Sequence, residues 1–229
     1  MSAFTTVFWD VDGTLLDFLY SQEYALRKCF RTIGREITEE MIARYSQIND
    51  SFWKRLELGE ITKAQLLPGR FTAFFAEYGI EGVDVEAFRL EYQEALGSAY
   101  SYLDDSLNIC RRLQDHVKQY VITNGVAATQ EKKLQLSGLR AFMEDAFISE
   151  NIGAPKPKTE FFEYCLTHTE EKDKRKILIV GDSLSSDIKG GILAGIPVCW
   201  YRPEGTENPT ELVPDYEISD LHQIFDILF

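Results

Sequence analysis

The segment FWDVDGTLLD, residues 8–17, decides how this chain folds. Residues 5–9, TTVFW, overlap the start of this segment and are all β-branched or aromatic. This composition predicts a short buried strand at residues 5–10. Asp12 and Gly13 then favour a turn directly after that strand. The apolar spacing is helical over residues 18–99, so a long helical block separates this first strand from every later one.

Beyond this block, strand and helix patterns alternate. Further strands are predicted at residues 117–123, 146–149, 176–180 and 197–200. Repeated strand–helix units predict a mostly parallel sheet with helices on both faces. We therefore expect an α/β fold, in which residues 1–16 and 100–229 form a Rossmann-like, doubly wound core domain. Residues 17–99 are expected to form an inserted, all-helical cap domain.

The cap segment carries its own helix signals. Thr62 is a candidate N-cap for a helix that runs towards Tyr78, and Pro68 within that helix predicts a kink or two shorter helices. Aromatic residues recur at helical spacing, which predicts that most of them form the core of the cap. They are Phe52, Trp53, Phe71, Phe74 and Phe75.

The charge balance limits the partners of this protein. Its 24 basic and 37 acidic residues give a net charge of −13, which argues against binding to nucleic acid polymers or anionic membranes. The sequence has no apolar run long enough to span a membrane and no signal-peptide pattern, so we expect a cytoplasmic protein. The four cysteines form no CxxC pair, which favours buried free thiols.

Four polar clusters follow the predicted strands, and the carboxyl ends of parallel strands meet at one edge of a sheet. The clusters are DVDG at residues 10–13, TNG at residues 123–125, KP at residues 156–157 and GDSLSSD at residues 181–187. Each pattern alone is common in turns, loops or helix caps. Their joint placement after strands is not expected of turns alone, and it predicts a functional site.

This set of residues favours phosphate chemistry. Asp10, Asp12, Asp182 and Asp187 would bring several negative charges together, which is unfavourable without a cation. A hard divalent ion with oxygen ligands relieves the conflict, and Mg²⁺ is the usual ion beside phosphates. Together with that ion, Lys156 would reverse the local charge and so attract an anionic substrate.

The sequence also contains candidate groups for the remaining steps of phosphate hydrolysis. Thr123 and the backbone N–H groups of the turn after it can hold phosphoryl oxygens as they gain charge. A carboxylate nucleophile that forms an aspartyl-phosphate divides hydrolysis into two displacements. A second carboxylate can give a proton to the leaving oxygen and then take one from water.

DVDGTLLD, ITNG, the lysine of APKPK and GDSLSSD resemble, in order, the four motifs of the haloacid dehalogenase superfamily. The resemblance spans nearly the whole chain and implies a helical cap between the first and second motifs. It implies that Asp10 is the nucleophile and Asp12 the general acid/base. It also implies that Thr123, Asn124 and Lys156 bind the phosphoryl group.

The cofactor implied by this resemblance is Mg²⁺. Its ligands would be Asp10, the backbone carbonyl of Asp12 and Asp182, with Asp187 acting through water or from behind the direct ligands. Dehalogenases of the superfamily usually lack the second aspartate of the first motif, so Asp12 disfavours dehalogenation. Mutases of the group often carry Val or Ile where Thr14 stands, which favours hydrolysis.

Two longer segments, QINDSFWKRLELGEITKAQLLPGRF and ITNGVAATQEKKLQLSGL, resemble the pyrimidine 5′-nucleotidase branch. The expected activity is therefore a Mg²⁺-dependent phosphomonoesterase that acts through an aspartyl-phosphate and prefers pyrimidine nucleoside 5′-monophosphates. The alternatives are a phosphatase of another small metabolite (phosphoglycolate or a sugar phosphate), a phosphosugar mutase, or a binding module without activity. The expected partner is a small phosphomonoester, and the sequence leaves monomer and dimer open.

The residues that would select the substrate lie in or beside the cap. Asn49 offers both a donor and an acceptor to the edge of a pyrimidine, and Trp53 could stack on a base. Arg70 is a polar residue in the same resembling segment. Phe18 and Tyr20 come just after the first motif and could line the pocket. A place in the cap core or on the solvated surface is the alternative for each of them.

Overall fold

The structure, a computed structural model, describes residues 4–202 and 205–229. The chain divides into two compact units. The first, called the α/β unit below, consists of the segment that ends at Phe18 and of Tyr100–Phe229. The second, called the helical unit, is Leu19–Ala99. Among the described residues, no helix is both long enough and apolar enough to cross a membrane.

The α/β unit is built on a six-stranded parallel sheet. Its strands are Thr6–Trp9 (β1), Lys118–Thr123 (β2), Asp145–Ile148 (β3), Ile177–Gly181 (β4), Val198–Tyr201 (β5) and Tyr216–Ile218 (β6). The strand order β3-β2-β1-β4-β5-β6 places β1 near the centre and reverses the direction of winding between β1 and β4. The predicted α/β, doubly wound fold is confirmed.

Helices occupy the connections between strands and the whole of the helical unit. They are Phe18–Thr32 (α1), Glu39–Glu57 (α2), Lys63–Glu77 (α3), Val85–Leu96 (α4), Ser106–Leu113 (α5), Ala127–Leu136 (α6), Ser149–Ile152 (α7), Thr159–His168 (α8), Lys189–Ala194 (α9) and Ile224–Leu228 (α10). Single 3-10 turns lie at Leu139–Phe142, Lys174–Lys176 and Leu221–Gln223. The helical block predicted from the apolar spacing thus consists of α1 to α4.

Strand β1 is buried on both faces, which explains its unbroken β-branched and aromatic sequence. Side chains alternate along a strand, so Val7 and Trp9 join one hydrophobic cluster with Leu178, whereas Phe8 joins the other with Ile179. This alternation fixes the register of β1 between its neighbours. All four cysteines are buried free thiols, as predicted.

The helical unit has its own aromatic core. Thr62 is the N-cap of α3, as predicted, because its side chain accepts from the Gln65 N–H. The Gln65 side chain accepts in turn from the Thr62 N–H at 2.9 Å, which completes a capping box. Phe71, Phe74 and Phe75 are buried and pack against one another and against rings of α2 and α4. The other two predicted aromatic core residues are only half-buried; they are Phe52 and Trp53.

Helix α3 continues through Pro68, so the predicted division into two shorter helices is wrong. A proline removes one backbone hydrogen bond and crowds the preceding turn. The residues on either side of Pro68 nevertheless include Leu67 and Phe71, which are buried in the core of the helical unit. Burial of this apolar face favours one continuous helix in spite of the lost bond.

A wider turn precedes α9. Leu184–Ile188 forms a π-helical turn, in which the Ile188 N–H donates to the Ser183 carbonyl five residues back, and α9 follows it. Asp187, within this turn, folds back over Gly181, where an added Cβ would lie closer than 3.0 Å to the Asp187 carboxylate. The irregular turn therefore positions one of the predicted acids.

Candidate active site

The carboxyl ends of the central strands carry the predicted acids. Asp10 follows β1 directly, and its N–H donates to the Val180 carbonyl at 2.9 Å, which extends the strand ladder by one residue. Asp182 follows β4, the neighbour of β1. Thr123 ends β2 on the other side of β1. The parallel order of the three strands thus brings these residues to one edge of the sheet.

Asp10, Asp182 and Asp187 form a compact acid cluster, in which one carboxylate oxygen of each lies within 4.8 Å of the others. Burial raises the pKa of Asp10 to about 7; Lys156 opposes this rise and Asp187 adds to it. Burial, and then the carboxylates of Asp10 and Asp187, raise the pKa of Asp182 well above its ordinary value. Such crowded oxygen donors fit a hard divalent cation such as Mg²⁺, and these three side chains could hold it.

Lys156 is the cation inside this cluster. Its Nζ donates to Asp10 Oδ1 at 2.6 Å, to Asp187 Oδ1 at 2.6 Å and to the Ile122 carbonyl at 2.9 Å. The three acceptors use all three ammonium protons, which satisfies a side chain that is 1% exposed. Burial alone would lower the pKa of Lys156, but Asp10 and Asp187 raise it above its ordinary value.

Asn124 joins two of the predicted motifs. Its side-chain amide donates to the Lys156 carbonyl and accepts from the Lys156 N–H, both at 2.9 Å. The Thr123 hydroxyl accepts from the Gly125 N–H at 3.0 Å and is almost completely buried. The Asn124 side chain therefore holds the lysine loop in place. Phosphate binding by Thr123 and Asn124 stays a prediction.

Thr14 links the first and fourth motifs. Its hydroxyl lies 3.5 Å from Asp10 Oδ2 and 3.3 Å from Asp182 Oδ1, and it accepts from the Asp182 N–H at 3.1 Å. Because one hydroxyl has one proton, Thr14 can donate to only one of the two carboxylates at a time. Thr14 thus contacts both acids that follow the central strands.

Glycines leave room for the side chains of the site. An added Cβ on Gly13 would lie 2.5 Å from Asp182 Oδ2, and this glycine has a φ of +93°, which other residues rarely adopt. An added Cβ on Gly125 would lie closer than 3.0 Å to the side chain of Gln130. The glycines of the first and second motifs are therefore required by close packing.

The carboxylate of Asp12 is held by two residues that the sequence analysis did not identify. Lys133 Nζ donates to Asp12 Oδ1 at 2.6 Å, and Gln130 Nε2 donates to Asp12 Oδ2 at 2.5 Å. Both donors come from α6 and are almost completely buried. Their sequence signal is a glutamine and a lysine three positions apart, on the helix that follows the TNG motif.

The helical unit brings together three of the predicted substrate residues. Arg70 Nη1 donates to Asn49 Oδ1 at 2.6 Å, and Trp53 Nε1 donates to the same oxygen at 3.2 Å. Arg70 and Asn49 are each 1% exposed. Within the described parts of the chain, Arg70 Nε and Nη2 have no hydrogen-bond partner, although the guanidinium stacks on the rings of two neighbouring aromatic residues.

The two predicted pocket residues next to the first motif differ in their surroundings. The Phe18 ring is half-buried, and its centroid lies 5.9 Å from Lys133 Nζ. Tyr20 is 50% exposed. A role in substrate binding stays a prediction for both.

Comparisons with a family model, with curated relatives and with solved structures agree on one family. The family model described as haloacid dehalogenase-like hydrolase matches residues 4–195. HAD-hydrolase YfnB of Bacillus subtilis (strain 168) is 37% identical over 228 residues, which cover 100% of this chain and 97% of YfnB. A crystal structure of YfnB bound to magnesium superposes with a TM-score of 0.93 and covers 98% of each chain.

Two further relatives are named for an activity. Pyrimidine 5′-nucleotidase YjjG of Escherichia coli (strain K12) is 31% identical over 223 residues, which cover 97% of this chain and 96% of YjjG. Pyrimidine 5′-nucleotidase PynA of Streptococcus pneumoniae (strain ATCC BAA-255 / R6) is 34% identical over 227 residues, which cover 96% of this chain and 93% of PynA. These alignments include both the helical unit and the acid cluster.

Proposed function

Because this chain belongs to the haloacid dehalogenase-like hydrolase family, we propose that it is a Mg²⁺-dependent phosphatase whose nucleophile is Asp10. The observation that carries the proposal is the shared contact of Lys156 with Asp10 and Asp187, inside a cluster of three carboxylates. Three carboxylates beside one ammonium leave about two negative charges, which one divalent cation would cancel.

The residues of the site fit a two-step displacement. Lys156 binds Oδ1 of Asp10, so we assign the attack on phosphorus to Oδ2. This attack forms the aspartyl-phosphate and breaks the bond from phosphorus to the ester oxygen, which takes a proton from Asp12 and leaves as an alcohol. Water then attacks the aspartyl-phosphate and gives a proton to Asp12, and the bond from phosphorus to Asp10 breaks.

The remaining groups would hold charge during both steps. Mg²⁺ held by Asp10, Asp182 and the Asp12 backbone carbonyl, with Asp187 beside it, would supply positive charge for the phosphoryl oxygens. Thr123 and the N–H groups of the turn at Asn124 would bind the remaining phosphoryl oxygens.

We further propose that the substrates are pyrimidine nucleoside 5′-monophosphates. Support comes from the relatives YjjG and PynA, both named pyrimidine 5′-nucleotidase, which align over nearly the whole chain. Within the helical unit, the buried group of Asn49, Trp53 and Arg70 has amide and guanidinium donors of the kind that bind base carbonyls.

A phosphate-release screen tests this proposal. The substrates would be UMP, CMP, AMP, phosphoglycolate and glucose 6-phosphate, each with Mg²⁺ and with a chelator. We expect Mg²⁺-dependent release that is fastest with UMP or CMP and is abolished by Asp10→Asn. Asp115→Asn, which changes an exposed aspartate, is the matched control and should retain full activity. Full activity of Asp10→Asn would overturn the mechanism, whereas a preference for phosphoglycolate would overturn only the substrate class.

A further inference from the structure

The first two acids of the first motif, Asp10 and Asp12, each contact a different buried lysine. Lys156 contacts Asp10, whereas Lys133 contacts Asp12, and both ammonium groups are at most 1% exposed. Lys133 carries a formal charge into the interior of the α/β unit, and removing an ion from water is unfavourable unless a partner compensates for it. A hydrophobic side chain at this position would pack without that cost.

The two donors fix Asp12 in position and in rotation. Lys133 Nζ binds one carboxylate oxygen at 2.6 Å and Gln130 Nε2 binds the other at 2.5 Å, so neither oxygen turns without loss of a bond. Gln130 and Lys133 are three positions apart on α6 and therefore share one face of this helix. Gly125, in the second motif, has no Cβ that would displace Gln130.

We propose that Lys133 and Gln130 are positioning residues of the hydrolysis, which hold Asp12 where it exchanges a proton with the ester oxygen and then with water. This inference rests on the proposed function. Both would act through Asp12, the carboxylate that their side chains contact. Proton transfer requires the donor and acceptor atoms to lie within hydrogen-bonding distance, so a carboxylate free to rotate would transfer its proton less often.

The two steps respond differently to a loss of this positioning. An alkyl phosphate such as UMP needs the proton from Asp12 when its ester bond breaks, so the first step becomes slow. p-Nitrophenyl phosphate expels a stable phenolate that needs no proton, so its first step stays fast. The second step, in which water gives a proton to Asp12, is slow for both substrates. The aspartyl-phosphate should therefore accumulate only with the aryl substrate.

Lys133→Met and Gln130→Met test the inference, with Lys132→Met as the matched control one position along α6. We expect Lys133→Met to lower kcat for UMP by roughly 100-fold or more, with KM changed by less than about 3-fold. With p-nitrophenyl phosphate and Mg²⁺, rapid mixing should show a burst of about one equivalent of p-nitrophenolate, followed by slow turnover. Gln130→Met should show the same pattern to a smaller extent, and Lys133→Arg should recover part of the UMP activity.

Several outcomes would overturn this inference. One is a folded Lys133→Met protein that loses the same factor with both substrates and shows no burst. Another is an equal loss from Lys133→Met in wild type and in an Asp12→Asn background, because a positioning residue has no effect once its target is removed. If Lys133→Met does not fold, unchanged kinetics of Gln130→Met would have the same consequence. An inactive wild type would overturn the proposed function as well, whereas an active wild type with these outcomes overturns the inference alone.

Discussion

Lys156 and Asp187 form an ion pair in which each side chain is only 1% exposed and the two charged atoms are 2.6 Å apart. The same ammonium binds Asp10. Loss of this one cation would leave two buried carboxylates without a positive partner. Removal of Lys156 should therefore destabilise the fold, whatever role this lysine has in turnover.

We expect Lys156→Met to lower the free energy of unfolding of the metal-free protein by about 3–5 kcal/mol, the usual effect of removing one partner of a buried pair. Lys158→Met, two positions along the chain, removes an exposed lysine and should change the free energy of unfolding by less than about 0.5 kcal/mol. Urea denaturation measures both values. Equal effects of the two substitutions would contradict the assignment of Lys156 as the cation of the cluster.

The stability of the metal-free protein should fall as the pH rises through the range in which Asp10 titrates. Burial raises the pKa of this carboxyl from 3.8 to about 7, so between these values the folded state holds a proton that the unfolded chain has released. The free energy of unfolding then decreases with pH, by at most about 1.4 kcal/mol per pH unit from this group. Asp10→Asn removes the titrating group and should flatten this part of the profile. An identical dependence of stability on pH in wild type and Asp10→Asn would contradict the raised pKa of Asp10.

Asp182→Asn should make the metal-free protein more stable and the Mg²⁺-bound protein less so. The substitution removes one charge from the acid cluster and replaces a charged oxygen ligand of the proposed metal site with a weaker, neutral amide. Thermal unfolding at pH 8 should show a higher Tm for the variant with chelator and a smaller rise on adding Mg²⁺. At 100 times its Kd the ion should stabilise wild type by about 2.7 kcal/mol. Asp115→Asn is the control, and an equal Mg²⁺ effect in all three proteins would place the ion elsewhere.

Gly125→Ala should weaken the contact between Gln130 and Asp12, since the new Cβ would collide with the Gln130 side chain. We expect a loss of about 1–3 kcal/mol in stability, the range for overpacking a buried site. In a Gln130→Ala background the colliding atoms are absent, so the same substitution should cost much less. A double-mutant cycle by thermal unfolding measures this coupling, and additive effects would exclude it.

Arg70→Met should alter substrate preference with little loss of stability. The guanidinium is buried, and its hydrogen bond in the structure is to Asn49, so an unbranched apolar side chain of similar length keeps most of the packing and removes a buried charge. We expect kcat/KM for UMP to fall at least about 10-fold relative to p-nitrophenyl phosphate. Lys54→Met, an exposed cation on α2, is the control. A large fall in Tm with an unchanged substrate ratio would identify Arg70 as structural.

The fold and the acids of the site could be predicted from the sequence because strand ends have a fixed meaning in a parallel sheet. Asp10 and Asp182 follow neighbouring strands, so the topology alone brings them together. Pro68 gave a wrong prediction, because its local cost is smaller than the gain from burying the apolar face of α3. Helix propensity describes the local backbone alone, whereas the continuity of α3 through Pro68 depends on tertiary packing.

The partners of Asp12 could not be predicted in this way. Gln130 and Lys133 belong to a helix that carries many polar residues, and such residues are usually solvated. Their burial depends on where α6 packs and on the absence of a side chain at Gly125, which is a three-dimensional property. The π-turn that positions Asp187 could not be predicted either, because LSSDI has no local signal that distinguishes it from an ordinary helix start.

The chain order of the site has a consequence for biosynthesis. Asp10 precedes Lys156 by 146 residues, which a ribosome takes roughly 7 to 30 s to add at about 5–20 residues per second. Every residue of the helical unit is made in that interval, and its aromatic core comes from one continuous stretch of chain. The nascent protein therefore carries Asp10, the proposed nucleophile, from the beginning, but lacks Lys156, the cation that binds this carboxylate, until most of the chain is made. Under the proposed mechanism, hydrolysis would become possible only in the last third of translation.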